Sequence, residues 1–291
     1  MYLYVNGNIK EQSKATISPF DHGYMYGLGV FETFRVYGGH PFLFDDHLQR
    51  LQQSLDKLNI EWPYTKSDLL EILNKLLKQN NLNHAYVRLN VSAGLGEIGL
   101  QVDTYYQPST IMYMKPMPEH SSPFVKEGLI LETRRNTPEG DIRLKSHHYL
   151  NNILAKREIG ADPKKEGIFL TKEAHLAEGI VSNLFFVKDG CVYTPSISTG
   201  ILNGITRQFI CKLLKVNGIS VQEGFFSVQQ LLESDEVFMT NSIQEIFAIE
   251  KIGEYEFKTG EETLTYTLQQ RYKSYTSSLW SKDQLVKGTH L

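Results

Sequence analysis

The stretch Asp141-Ile142-Arg143-Leu144-Lys145-Ser146-His147-His148-Tyr149-Leu150 decides how the rest of this chain is read. Polar residues crowd around Lys145, and an apolar run, Tyr149, Leu150, Ile153 and Leu154, begins just after it. The pattern predicts an extended segment running into a helix over 149–159. An amine at such a junction is held by rigid elements on both sides and can still face a cleft. That suits a lysine that condenses with a carbonyl. Taken alone, the same residues describe a solvated surface lysine, the commoner case. The flanking sequence has to decide.

Downstream, 167–171 and 178–187 read as strands, with a turn at Asp189-Gly190 and a return over 191–194. Gly200-Ile201-Leu202-Asn203-Gly204-Ile205-Thr206-Arg207 then leads into a helix over 208–216, with Thr206 at its cap. Glycines ahead of a helix N-terminus expose backbone N–H groups to an anion, and the helix dipole favours negative charge there. The plain alternative is a capped helix. A strand over 235–242 ends in Thr240-Asn241-Ser242, a second possible anion contact, and a last helix is expected over 261–280.

Upstream, Tyr2-Leu3-Tyr4-Val5 alternates and meets Asn6-Gly7, a hairpin signal. Three glycines, Gly23, Gly27 and Gly29, precede an aromatic and β-branched strand over 31–37, which turns at Gly38-Gly39. An amphipathic helix over 44–58 has Asp45 as its expected N-cap and Leu48, Leu51, Leu55 and Leu58 on its apolar face. His47 and Arg50 share another face, where an exposed ion pair is the ordinary use of the arginine. A second helix opens at Ser67-Asp68 and ends at Gln79-Asn80-Asn81. The strand 85–92 puts Tyr86, Arg88, Asn90 and Ser92 on one face. Another strand follows over 109–114. The segment 115–124, with three prolines, is the best linker. We therefore expect a smaller N-terminal α+β domain over 1–118 and a larger domain over 119–291 that carries Lys145. The irregular mix of short strands and few helices is not the βαβ alternation of a doubly wound sheet, and two such domains leave a cleft for a ligand.

Bulk properties exclude several classes. The 291 residues are 41% hydrophobic and 22% charged, ordinary for a soluble globular protein. A net charge of −3 argues against a general nucleic-acid binder. No basic leader and no long apolar run is present, so neither export nor a membrane is expected, and a cytoplasmic location is. Cys191 and Cys211 match no metal or redox spacing, the histidines form no ligand pattern, and no metal is expected.

Several short motifs occur in one order along nearly the whole chain. They are Asp21-His22-Gly23 with Gly27-Leu28-Gly29-Val30-Phe31-Glu32-Thr33, His47-Leu48-Gln49-Arg50-Leu51, Leu144-Lys145-Ser146, Glu178-Gly179 with Ser182-Asn183, Leu202-Asn203-Gly204-Ile205-Thr206-Arg207 and Thr240-Asn241-Ser242. Each is weak alone. Together they resemble the fold-type-IV pyridoxal-phosphate family, which includes D-amino-acid aminotransferases, branched-chain aminotransferases and aminodeoxychorismate lyases. The resemblance implies a two-domain α+β fold with pyridoxal 5′-phosphate in the interdomain cleft, a small-molecule substrate and a homodimer. It makes Lys145 the cofactor lysine and acid/base, and pairs Glu178 with the ring nitrogen. It packs Leu202 on the ring and assigns the phosphate to Arg50, the amides of Ile205 and Thr206, and Ser242, with Asn241 beside it.

Phe31-Glu32-Thr33 and Arg143-Leu144-Lys145-Ser146-His147-His148-Tyr149-Leu150-Asn151-Asn152 most resemble the bacillus-type lyases, which implies elimination from 4-amino-4-deoxychorismate in folate biosynthesis. Arg143, two residues before Lys145, Arg88 and Thr33 are then the substrate-binding candidates. Ala93 stands where the D-amino-acid enzymes carry an arginine for the substrate carboxylate. Tyr149 lies four residues after the lysine, where the branched-chain enzymes have a tyrosine at five within a glycine-containing run. Arg88 sits in a Tyr-x-Arg strand like that of the branched-chain enzymes, so an aminotransferase remains the alternative.

Overall fold

The computed structural model describes residues 1–119 and 125–286. They fall into two compact units. The first comprises Met1–Glu119, Leu144–His148 and Thr276–Ser281. Its sheet begins with β1 (Tyr2–Val5) and β2 (Asn8–Glu11). Asn6 and Gly7 both take positive φ, 43° and 90°, and close this hairpin as expected of an Asn-Gly pair. A short α1 (His22–Tyr26) precedes β3 (Gly29–Tyr37), which turns through Gly38-Gly39 into β4 (His40–Pro41). Two helices, α2 (Phe44–Lys57) and α3 (Lys66–Asn80), lead to β5 (Ala85–Ser92) and β6 (Ser109–Pro116). The strands are antiparallel in the order β2-β1-β6-β5-β3-β4. Strand alternation sends Val30, Phe34, Val36, Val87, Leu89 and Val91 into one core with Leu51, Leu55, Leu73 and Leu76 of the helices.

Two helix starts differ from expectation. The N-cap of α2 is Leu43, in the left-handed region and without a side-chain cap, so Asp45 is not the cap. Instead the carbonyls of Leu279 and Trp280 accept from the N–H groups of Leu43 and Asp45, so a remote segment of the same unit satisfies the helix end. Thr65 caps α3 in a reciprocal box with Asp68, ahead of the expected Ser67 start. Of the expected linker, Lys115 and Pro116 end β6, and residues 120–124 lie outside the described residues.

The second unit comprises His120–Arg143, Tyr149–Tyr275 and Lys282–Leu291, of which 125–143, 149–275 and 282–286 are described. Its elements are β7 (Val125–Ile130), α4 (Leu150–Ile159), β8 (Lys165–Leu170), β9 (Leu176–Gly179), β10 (Asn183–Lys188) and β11 (Cys191–Pro195). Then come α5 (Ile205–Val216), β12 (Val221–Gly224), α6 (Val228–Leu232), β13 (Glu236–Asn241), β14 (Glu245–Ile252), β15 (Tyr255–Glu256) and α7 (Leu264–Tyr275). The mixed sheet runs β12-β11-β10-β13-β14-β7-β8-β9, with β15 on β14.

The strand expected over 178–187 is two strands, because the chain turns between them and the Gly179 N–H donates to the Ser182 carbonyl at 2.7 Å. The helix expected from 208 begins at Ile205, with Gly204 rather than Thr206 as N-cap. The last helix is shorter than 261–280. The buried Glu236 carboxylate accepts from the Leu264 and Thr265 N–H groups at 3.0 and 2.9 Å and so sets its start.

Candidate active site

In the first unit, β4 covers only the Val36–Tyr37 end of one β3 edge. The segment around Lys145 lies along β3 at the other end. Phe31 N–H donates to the Lys145 carbonyl at 2.9 Å, His147 N–H donates to the Gly29 carbonyl at 3.0 Å, and Val30 bridges Ser146. This pairing fixes the Lys145 backbone on the sheet. Its Nζ stands 4.5 Å from the centre of the Phe31 ring, and the Arg88 guanidinium stacks on the same ring at 3.6 Å. Thr33 is the register partner of Arg88, so the two share this face. Arg88 Nε donates to Asn90 Oδ1 at 2.7 Å. His147 packs near Phe31, and its Nε2 is buried with no hydrogen-bond partner among the described residues. Burial first, then the Arg88 charge, pushes that imidazole down to about 4, so it is neutral at pH 7.

Arg50 belongs to the opposite face of β3. Its Nε and Nη2 hold the two carboxylate oxygens of Glu32, each at 2.7 Å, and His47 Nδ1 meets the same carboxylate at 2.7 Å. The ordinary exposed pair is therefore not what Arg50 makes, because Glu32 is fully buried.

In the second unit, Glu178 at the end of β9 is buried among donors. Arg135 Nε reaches Oε1 at 2.8 Å, the Leu202 N–H reaches Oε2 at 3.1 Å and Asn183 Nδ2 reaches Oε2 at 3.4 Å. Arg143 Nε lies 3.8 Å from Oε1. Arg143 is itself engaged: Nε donates to the Gly200 carbonyl, and its terminal nitrogens donate to the carbonyl and side chain of Asn136. Burial first, then the Arg135 charge, brings its guanidinium down to about 10, still cationic at neutral pH.

Gly204 caps α5 without a side-chain hydrogen bond, which leaves the first-turn N–H groups of Ile205 and Thr206 without an intrahelical acceptor. A Cβ at Gly204 would lie 2.0 Å from Asn183 Oδ1, so any larger residue here would displace the Asn183 side chain. Thr206 Oγ1 and Ser242 Oγ are 3.4 Å apart, which joins the α5 start to the end of β13. The Asn241 side-chain oxygen accepts from the N–H groups of Ile243 and Gln244 at 2.9 and 2.7 Å, so this side chain shapes the turn that presents Ser242.

Sequence reasoning missed Phe31 as a platform, the Glu32–His47 pair and Arg135. Phe31 and Glu32 stand inside the glycine-led motif, but an aromatic strand reads as core. Arg135, beside Arg134, carries no signal until its carboxylate partner is known. Among the described residues no cluster of three or more His, Cys, Asp or Glu could hold a metal, and no helix is long and apolar enough to cross a membrane.

Residues 29–252 match the family model for amino-transferase class IV. The chain belongs to that family. An aminodeoxychorismate lyase of Bacillus subtilis (strain 168) is 50% identical over 273 residues, 93% of each chain. Among solved structures, the 4-amino-4-deoxychorismate lyase of Pseudomonas aeruginosa has a TM-score of 0.81 at 26% identity, covering 94% of this chain and 99% of that one. The T.th. branched-chain amino acid aminotransferase, complexed with N-(5′-phosphopyridoxyl)-L-glutamate, has a TM-score of 0.82 at 26% identity, covering 95% and 94%. The α+β fold of class IV aminotransferases expected from the motifs is thus the fold of this chain.

Proposed function

We propose that this class IV chain binds pyridoxal 5′-phosphate and acts as an aminodeoxychorismate lyase. It would convert 4-amino-4-deoxychorismate into 4-aminobenzoate and pyruvate. The observation that carries this reading is the 50% identity to the Bacillus subtilis lyase over 93% of both chains. The residues present fit the cofactor: a primary amine on a rigid segment, a buried carboxylate for a ring nitrogen, and hydroxyls beside a helix start for a phosphate.

In this reading Lys145 carries the cofactor and then acts as acid/base. Glu178 faces the ring nitrogen, held in place by Arg135, and Leu202 lies against the ring. Arg50, the amides of Ile205 and Thr206, and Ser242 take the phosphate, and Asn241 shapes the Ser242 turn. Thr33, Arg88 and Arg143 serve the substrate. Arg88 is favoured for a carboxylate, because the donors of Arg143 already meet Gly200 and Asn136.

When bound, the cofactor supplies an electron sink for the charge left on the amine-bearing carbon. Lys145 Nζ removes the proton from that carbon. Glu178 holds a proton at the ring nitrogen. The bond from the neighbouring ring carbon to the enolpyruvyl oxygen breaks, its electron pair leaving with oxygen, and the substrate ring becomes aromatic. The released enolate takes a proton at its methylene carbon and is pyruvate. Every substrate atom appears in the two products and nothing is oxidised overall, so no amino acceptor is required.

An aminotransferase is the second reading, supported by Arg88 on its Tyr-x-Arg strand and by the likeness to the branched-chain enzyme. Substrate choice separates the two. The lyase reading expects D-alanine or branched-chain amino acids, given with a keto acid, to turn over far more slowly than 4-amino-4-deoxychorismate. The reverse order would make this an aminotransferase. Lys145→Ala should abolish either activity, since either needs the primary amine that this reading places on the cofactor. We place the reaction in cytoplasmic folate synthesis and expect a homodimer, which light scattering of the purified protein tests.

A further inference from the structure

Glu32 lies between Val30 and Phe34 on the core face of β3. A carboxylate there is strongly disfavoured unless it is paired. Arg50 supplies a two-pronged contact through Nε and Nη2, and His47 adds a third donor, all at 2.7 Å. His47 and Arg50 stand at i and i+3 on α2, so one helix face delivers both to one strand carboxylate. Glu32 and His47 are 1% and 2% exposed, whereas the Arg50 side chain is 15% exposed. Two members of the set are sealed, and the third keeps an edge at the surface. Burial pushes the Glu32 carboxyl up, but the Arg50 charge, with the hydrogen bonds from His47 and Arg50, more than reverses this and brings it down to about 2. Burial also pushes the His47 imidazole down, which favours a neutral ring donating its Nδ1 proton to the carboxylate.

We infer that Glu32 and His47 are positioning residues that brace Arg50 in one orientation, and that this brace gives the protein its preference for phosphorylated over unphosphorylated cofactor. The inference rests on the reading above that Arg50 meets the cofactor phosphate. A fork contact fixes the plane of the guanidinium, and therefore the directions of its other N–H bonds. A side chain ordered beforehand loses little freedom when its anion arrives. The charge of Glu32 opposes an incoming phosphate. Glu32 lies on the buried side of the guanidinium, however, so orientation is expected to outweigh repulsion.

The test is titration of apoprotein with pyridoxal 5′-phosphate and, separately, with pyridoxal, followed by cofactor absorbance. Wild type, Glu32→Gln, Arg50→Ala and the double variant are compared. Glu32→Gln and Arg50→Ala should each weaken pyridoxal 5′-phosphate by about 10-fold or more, as loss of an outer partner does for metal ligands, with pyridoxal changed by less than about twofold. In the Arg50→Ala background, Glu32→Gln should add nothing further. Where Glu32→Gln does not fold, Glu32→Asp, too short to hold the fork, carries the same expectation. Unchanged or tighter phosphate-form binding in the Glu32 variant, beside weakened binding in Arg50→Ala, would overturn the brace. Equal weakening of both cofactor forms would also overturn it, since that marks a structural role alone. If Arg50→Ala leaves the preference for the phosphate form intact, the assignment of Arg50 to the phosphate fails first, and the brace with it.

Discussion

Arg88 and Arg143 carry the same charge but differ in what their guanidinium groups already hold. Arg143 is tied to Asn136 and the Gly200 carbonyl beside Glu178, whereas Arg88 sits over the Phe31 ring and donates to the Asn90 side chain. Arg88→Ala should therefore raise KM for the lyase substrate about 10-fold or more, the size of one charge-assisted hydrogen bond, with cofactor affinity unchanged. Arg143→Ala should raise KM less and loosen cofactor binding through Glu178; steady-state kinetics with cofactor titration distinguishes the two. Glu32 supports a pH expectation. Its folded pKa of about 2 lies below its ordinary 4.5, so its contribution, on the order of 3 kcal/mol, is full above that ordinary value and is lost as pH falls towards 2. Urea unfolding between pH 5 and 2 should show a steeper loss of stability for wild type than for Glu32→Gln; parallel curves would remove Glu32 as a source of acid lability. At this scale only the ordered motifs single out the proposed site residues as a set. Arg135 was not legible, because its role exists only where folding brings Glu178 against it at 2.8 Å.

Helix caps show which local rules survive folding. Thr65 and Asp68 close a reciprocal box on α3 within one turn, so sequence alone can carry that signal. Thr65→Ala should destabilise the protein by about 1 kcal/mol, read from the denaturant midpoint with an unchanged slope. For α2, α5 and α7 the pattern differs: backbone carbonyls of 279 and 280, a bare glycine N-cap, and the Glu236 carboxylate mark the three starts. Asp45 and Thr206 looked like caps because they have the right chemistry, yet the surrounding fold sets where each helix begins. The β-hairpin at Asn6-Gly7 and the alternating strands 31–37 and 85–92 were legible for the opposite reason. Turn chemistry and a half-buried face are local properties. The break between β9 and β10 was hidden because Ile180-Val181 continues the apolar run while the backbone turns through a Gly179–Ser182 hydrogen bond.

The whole chain assigns its segments to units in an order that composition cannot reveal. Lys145 and its neighbours 144–148 fold with the N-terminal sheet, although Arg143 and Tyr149 on either side belong to the other unit. Backbone pairing to β3 anchors the Lys145 main chain on a rigid strand, which suits the role proposed for it above of holding the cofactor and moving a proton. The central claim is elimination without an amino acceptor, and the direct measurement is turnover of 4-amino-4-deoxychorismate by purified holoenzyme with no keto acid present. We expect 4-aminobenzoate and pyruvate in equal amounts over many turnovers, with the aldehyde absorbance of the cofactor persisting throughout. No aromatic product, with the cofactor converted to its amine form by D- or branched-chain amino acids, would contradict the lyase.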